Sequence, residues 1–192
     1  MKPRTRTPMP VRHLTREECE AGLEPIRSAP ADDGVLRLIV RRPEENAREV
    51  LEEGQLDLDL GLVGDTWHRR RSSRTADGSP HPGMQLNVMN ARVVELVAQS
   101  PERWALAGDQ LYVDLDLSAE NLPPGTRLAL GSAEIEVTPE PHLGCAKFVE
   151  RFGVDAMKFV NSPLGRRLRL RGLNARVVKA GTIRVGDRVR KV

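Results

Sequence analysis

Aromatic residues are nearly missing from this chain, at 3% of 192 positions. The core must therefore be aliphatic, and the stacking platforms that single-stranded nucleic acid requires are lacking. Cysteine occurs only twice, as Cys19 and Cys145, far apart and in unlike contexts. That excludes a disulfide scaffold and predicts reduced thiols in a cytoplasmic protein. No stretch reaches the length of a membrane span, and "MKPRTRTPMPVRHL" has bases without an apolar centre, so it reads as a frayed leader rather than a secretory signal. The histidines (His13, His68, His81, His142) lack the paired placement of a zinc site. A Gly-x-Ser-x-Gly elbow, a phosphate-binding P-loop and a dinucleotide fingerprint are likewise missing, which removes the commonest hydrolase, kinase and dehydrogenase readings.

What remains is a soluble, charged, aliphatic chain of a size that suits one domain and buries about 70% of its unfolded surface. The net charge of +3 is mild but unevenly placed. Glu44 to Asp59 holds seven acids, whereas Arg166 to Lys191 holds ten bases and one acid, Asp187. A basic tail of this kind is read either as solvated strand faces or as a surface for an anionic small ligand. No recognition helix or finger pattern supports a nucleic-acid partner.

Punctuation along the chain predicts the elements. Thr15 stands three residues before Glu18, a capping-box spacing that opens a helix running to about Ser28. Within it, Glu17, Glu18 and Glu20 crowd Cys19 and should raise its thiol pKa. Residues 1–34 thus form a tail and helix, and the main domain spans 35–192. "VLRLIVRR" (35–42) reads as a strand, and Pro43 is placed to open a short helix over "EENAREVLEE". A long polar loop, "HRRRSSRTADGSPHPG", follows and is expected to stay solvated until an anion arrives. "MQLNVMN" alternates as a strand and "ARVVELVAQS" is an amphipathic helix. "TRLAL-GS-AEIEV" is two strands joined by a two-residue turn at Gly131-Ser132. Alternation in "RRLRLRG" predicts Arg167, Arg169 and Arg171 on one solvent face, with Arg171→Ala harmless to folding. Short strands with Gly-Asp turns close the chain, so the fold class is mainly β (α+β), a barrel-like or sandwich core with a few peripheral helices.

One stretch carries the chemistry. In "TPEPHLGCAKF" two prolines end a strand, and Cys145 falls at the first turn of the helix "CAKFVERFG", where free backbone N–H groups favour a thiolate. His142 and Lys147 add positive potential. The competing reading is a small apolar core residue.

With "GLVGDTWH", "MQLNVMN", "AENLPPGTRLALGSAEIEVT", "PHLGCAKF" and "GLNARVVKAGTIRVGD" in this order and spacing, residues 35 to 190 resemble the MOSC domain, named for the molybdenum cofactor sulfurase C-terminus, in its stand-alone bacterial form. The resemblance implies a pseudo-β-barrel whose loop cysteine, here Cys145, carries a persulfide or ligates molybdenum of a molybdopterin cofactor. It also implies cofactor-binding roles for Asp65, His68, Gln85, Asn121, Arg171, Asn174 and Arg176, beside His142 and Lys147. "DTWH" shifts His68 by one from the commoner Asp-x-His. The pyridoxal-phosphate domain of full sulfurases has no counterpart, so no pyridoxal phosphate is expected on this chain. A cysteine desulfurase or other sulfur donor, and a redox partner, are the expected partners. Alternatives are a molybdenum-dependent reductase of N-hydroxylated compounds, or a non-catalytic module that holds an anionic ligand or partner.

Overall fold

A computed structural model describes residues 12–192; the leader expected to fray lies almost wholly outside them. The chain opens with α1 (Arg16–Ala21) and α2 (Leu23–Arg27), then β1 (Gly34–Arg41), β2 (Glu49–Leu51), β3 (Glu53–Asp57) and β4 (Gly61–Leu62). A long irregular segment leads to β5 (Leu86–Asn90), α3 (Ala91–Ala98) and β6 (Leu111–Asp114). The hairpin β7 (Arg127–Leu130) and β8 (Ala133–Val137) precedes three helices, α4 (Ala146–Phe152), α5 (Val154–Asn161) and α6 (Pro163–Arg167). The strands β9 (Leu173–Lys179), β10 (Gly181–Arg184) and β11 (Arg188–Lys191) complete it.

Seven strands close into a barrel in the order β11-β7-β8-β9-β5-β6-β1, with β1 returning to β11. β2 hangs on β1 outside the ring, and β10, β3 and β4 form a small separate sheet. Only β5 and β6 pair in parallel among the described strands, and α3 with a 3-10 turn at Pro101–Ala107 makes the crossover such pairing demands.

Period-two alternation sorts the apolar residues into two cores. Leu86 and Val88 of β5, Leu111 and Val113 of β6, and in β1 Leu36 and, past a register shift between Leu36 and Leu38, Ile39 point into the barrel. Val40, Met89 and Tyr112 of the same strands point outward, into a layer formed by the helices. That outer layer also takes Phe148, Phe152, Phe159 and, from the N-terminal helices, Cys19 and Ile26. α1 begins on the expected capping box, with Thr15 Oγ1 accepting from Glu18 N–H and the Glu18 carboxylate accepting from Thr15 N–H.

Two expectations fail. Residues 44–53 are not a helix: Val50 and Glu49 pair with Val40 and Arg41 to make β2, and Asn46 sits at φ 64°, which no α-helix accommodates. "RRLRLRG" is not a strand either. Ser162 accepts from Gly165 N–H, Pro163 occupies the first turn, and α6 runs to Arg167. The chain then turns through Arg169 at φ 49°, so Arg171 is turned inward and buried rather than facing solvent.

The β7–β8 turn lies where expected, with Gly131 at φ 56°. A Cβ there would also collide with the Thr182 carbonyl oxygen and approach Asp187 Oδ2 to 2.6 Å. Gly131→Ala is therefore expected to cost about 2 kcal/mol or more, read as a lower denaturant midpoint at unchanged slope.

Candidate functional site

A cleft of about 750 Å³ opens over one rim of the barrel, a volume within the range of small-molecule sites. There β1 and β8 end and β6 and β9 begin. Three segments wall it: residues 42–48 after β1, residues 66–71 after β4, and the loop and helix from His142 to Arg151.

Cys145 is exposed in this cleft and caps the N-terminus of α4 through its backbone, with no side-chain hydrogen bond. The loop that carries it is fixed from three sides. Asn174 donates to the carbonyls of Glu140 and Pro141 at 3.2 and 3.3 Å. Asn161 of α5 grips the Gly144 peptide twice, accepting from its N–H at 2.8 Å and donating to its carbonyl at 3.1 Å. His142 Nε2 donates to Asp109 at 2.7 Å.

Asp109 is wholly buried and also takes two bonds from Arg171 Nη1, at 2.7 and 2.9 Å, while Arg171 Nη2 donates to the Ala107 carbonyl. Burial alone would raise the Asp109 carboxyl, but Arg171 and His142 outweigh it and hold it below its usual range. His142 is pushed the other way from a paired imidazole. Burial and the Arg171 charge lower its pKa more than Asp109 raises it, so the ring is neutral with its proton on Nε2. Arg171 also stacks over Phe148, 5.2 Å from the ring centroid. Gly172, at φ 111°, lets this wall close, because a Cβ there would strike the Val88 carbonyl oxygen and press on the His142 ring.

A second buried pair stands opposite. Arg42 grips Asp65 with Nε at 2.8 Å and Nη2 at 2.9 Å, and its Nη1 reaches Asn87 Oδ1 and the Gly108 carbonyl. Burial works to raise the Asp65 carboxyl, but Arg42 holds it low. Asn87 in turn donates to Asn174 at 2.7 Å, so a continuous run of side-chain bonds links Asp65 to the backbone of the Cys145 loop.

The remaining cations have no such partners. Arg48, Arg69, Arg70, Arg71 and Arg151 line the cleft without an ion pair to a carboxylate among the described residues. Burial, and then the charges of Arg151 and Arg42, lower the pKa of half-buried Arg48, and burial and Arg42 do the same to Arg70. Arg48 Nε is buried with no hydrogen-bond partner. Glu45 is the one carboxylate on the lining, and Lys147 Nζ meets it at 3.0 Å.

Of the residues expected at the site, the structure brings His142, Cys145, Lys147 and Arg171 onto the cleft lining. Asp65 and Asn174 stand one bond behind it. His68 is absent from the lining, and its Nδ1 is buried without a partner. Gln85 is a strut instead: it donates to the Leu58 carbonyl and accepts from Val177 N–H. Asn121 lies elsewhere, binding the carbonyls of Ala31 and Asp116. Arg176 is exposed on β9 and paired with Glu136. The basic tail therefore contributes only Arg171 to the cleft; Arg184 pairs with Glu53, and Arg188 and Arg190 with Asp33. The residues missed were Arg42, Arg48, Asn87, Asp109 and Arg151. Only Asp109 left a trace in the sequence, as an acid between the apolar runs "WALA" and "LYV". Cys19 is buried where Cys145 is exposed; burial, and then Asp155 and Glu18, push the Cys19 thiol up to about 11.

Removing Arg171 would leave Asp109 charged in the interior, so Arg171→Ala is expected to cost about 3–5 kcal/mol. Arg176→Ala, at an exposed pair, should change stability by no more than about 0.5 kcal/mol in the same melts. The depressed His142 has a definite sign. Its unfolded form binds a proton below about pH 6.5 while the folded form does not, so stability falls as pH drops from 7 towards 5. His142→Gln should flatten that slope in thermal melts; an unchanged slope would show that another group titrates. Alkylation of the native protein should label Cys145 at once and Cys19 only after unfolding.

The chain matches the MOSC domain family over residues 81–190, more than half its length. No curated protein matches it. Among solved structures, the YuaD protein from Bacillus subtilis superposes with a TM-score of 0.60 at 15% identity, over 81% of this chain and 93% of that one. YiiM from Escherichia coli does so with a TM-score of 0.53 at 19% identity, over 82% and 69%. At such identities these likenesses speak to the fold. Together with the closed barrel and the sequence match, they establish that this chain belongs to the MOSC domain family.

Proposed function

We propose that the cleft receives a molybdenum–pterin cofactor by its phosphate, and that Cys145 presents its sulfur there, as carrier of a sulfane sulfur or as a ligand to the metal. The observation that supports this most is an exposed thiol on the wall of a cleft crowded with unpaired arginines. Burial, and then neighbouring like charges, lower the pKa of Arg48 and Arg70, a cost that a bound anion would relieve. Arg69, Arg70 and Arg71 lie on one short segment and suit bidentate contacts to phosphate oxygens.

The donor set fits a metal that arrives already held. No group of three or more His, Cys, Asp or Glu side chains able to bind a metal occurs among the described residues, so the chain offers Cys145 as a single ligand. When bound, the cofactor would supply a redox-active molybdenum held by its own sulfur atoms. The chain's part is to orient the thiol through Asn161, Asn174 and His142 and to neutralise the phosphate.

For sulfur carriage the step is an exchange with a donor persulfide, such as that of a cysteine desulfurase. The Cys145 thiolate attacks the terminal sulfur, the S–S bond of the donor breaks, and the donor thiolate leaves with the electron pair. No outside oxidant is required. No helix among the described residues is long and apolar enough to cross a membrane.

Incubation with a cysteine desulfurase and free cysteine should add one sulfur atom to the peptide bearing Cys145, read by mass spectrometry. Protein produced with molybdate present should retain molybdenum in elemental analysis. Cys145→Ser should fold normally, since the thiol makes no hydrogen bond, and should lose whichever signal the wild type shows. Wild-type protein that takes up neither sulfur nor molybdenum, yet binds inorganic phosphate, would instead be a non-catalytic anion-binding module.

A further inference from the structure

A second pocket of about 320 Å³ lies behind the Cys145 loop, with His142 and Arg171 shared between its lining and that of the main cleft. Nothing in the cofactor reading uses it. Its lining combines two chemistries. Pro139, Pro141 and Leu143 supply apolar surface, and Arg166, Arg169 and Arg171 supply positive charge. Glu140 is the one carboxylate there, and Arg74 already neutralises it at 2.6 Å.

Three features mark the pocket as incompletely satisfied. Arg171 is 7% exposed, and its Nε is buried with no partner although both terminal nitrogens are bonded. Arg169 is held at φ 49°, a left-handed conformation unfavourable for a long side chain, and burial lowers its pKa. It donates from Nη1 to the Leu122 carbonyl and pairs with no carboxylate among the described residues. Leu143, at the pocket's edge, leaves 42% of its surface in water.

We propose that this pocket binds a small organic monocarboxylate, with the carboxylate on Arg169 and Arg166 and an apolar body over Leu143, Pro139 and Pro141. An inorganic anion would satisfy the arginines but leave the apolar lining wet. A neutral molecule would do the reverse. The volume is at the low end for ligand sites, which limits the occupant to a single ring or a short branched chain. The site stands whether or not Cys145 carries sulfur or meets a metal.

The test is titration of the full chain with benzoate, followed by amide chemical shifts, with benzyl alcohol and inorganic phosphate as controls. Benzoate should produce saturable shifts at Gly165, Gly172 and Leu173, and both controls should bind about tenfold more weakly or worse. Arg169→Gln should weaken benzoate by about tenfold, as the loss of a charge-assisted bond predicts. Arg169 also bonds the Leu122 carbonyl, so Leu143→Asp serves as a second variant that places a like charge on an exposed position. Arg70→Gln, in the main cleft, should leave benzoate affinity unchanged. Shifts centred on Gly108 and Lys147, equal binding of phosphate or benzyl alcohol, or full affinity in Leu143→Asp would each overturn the proposal.

Discussion

A carboxylate with no access to water cannot stay charged alone, and Asp109 is such a group. Its charge is tolerable only because Arg171 and His142 both reach it. One comes from the turn before β9 and the other from the loop that ends in Cys145. The requirement to satisfy Asp109 thus forces two segments far apart in sequence to meet beside β6. The position of the thiol follows from that meeting. The neutrality of His142 follows as well, since a second cation beside Arg171 in the interior would be one too many.

The cleft separates its arginines into two kinds. Arg42 and Arg171 are spent on buried carboxylates and act as rigid struts. Arg48, Arg69, Arg70, Arg71 and Arg151 are not, and their charges add up across an open space. The struts fix the walls and the free arginines set the potential. A surface made only of the first kind would be stable and inert, and one made only of the second would repel itself open.

Much of the barrel was legible because alternation and turn residues act locally. Gly131-Ser132 could only be a tight turn between two alternating runs, and Thr15 with Glu18 could only begin a helix. Cys145 was legible because prolines on one side and helical spacing of Phe148 and Phe152 on the other left it at a junction. The errors came where local signals favoured one answer and distant partners imposed another. "EENAREVLEE" has helix-forming composition, but the open edge of β1 claims Glu49 and Val50 as a strand. "RRLRLRG" alternates, yet Ser162 and Pro163, upstream of it, start a helix that overrides the pattern. Arg171 was placed in solvent for the same reason: its partner, Asp109, is 62 residues away. Of the two readings of the basic tail, solvated strand faces holds for Arg176, Arg184, Arg188 and Arg190, because Glu136, Glu53 and Asp33, all distant in sequence, take up their charges.

Barrel closure by β1 and β11, where Gly34 lies opposite Val189, has a consequence for how the protein is made. The first barrel strand is made well before β11, its neighbour on one side, and every other barrel strand is translated between them. Until then the Gly34–Val35 end of β1 has an open edge, and Leu36 and Ile39 are uncovered from the barrel side. The nascent chain must therefore wait, collapsed but unclosed, and its folding rate is bounded by the closure of a loop almost as long as the domain. In such a topology the helices and the parallel β5–β6 crossover can dock first, leaving the sealing of the ring as the last event.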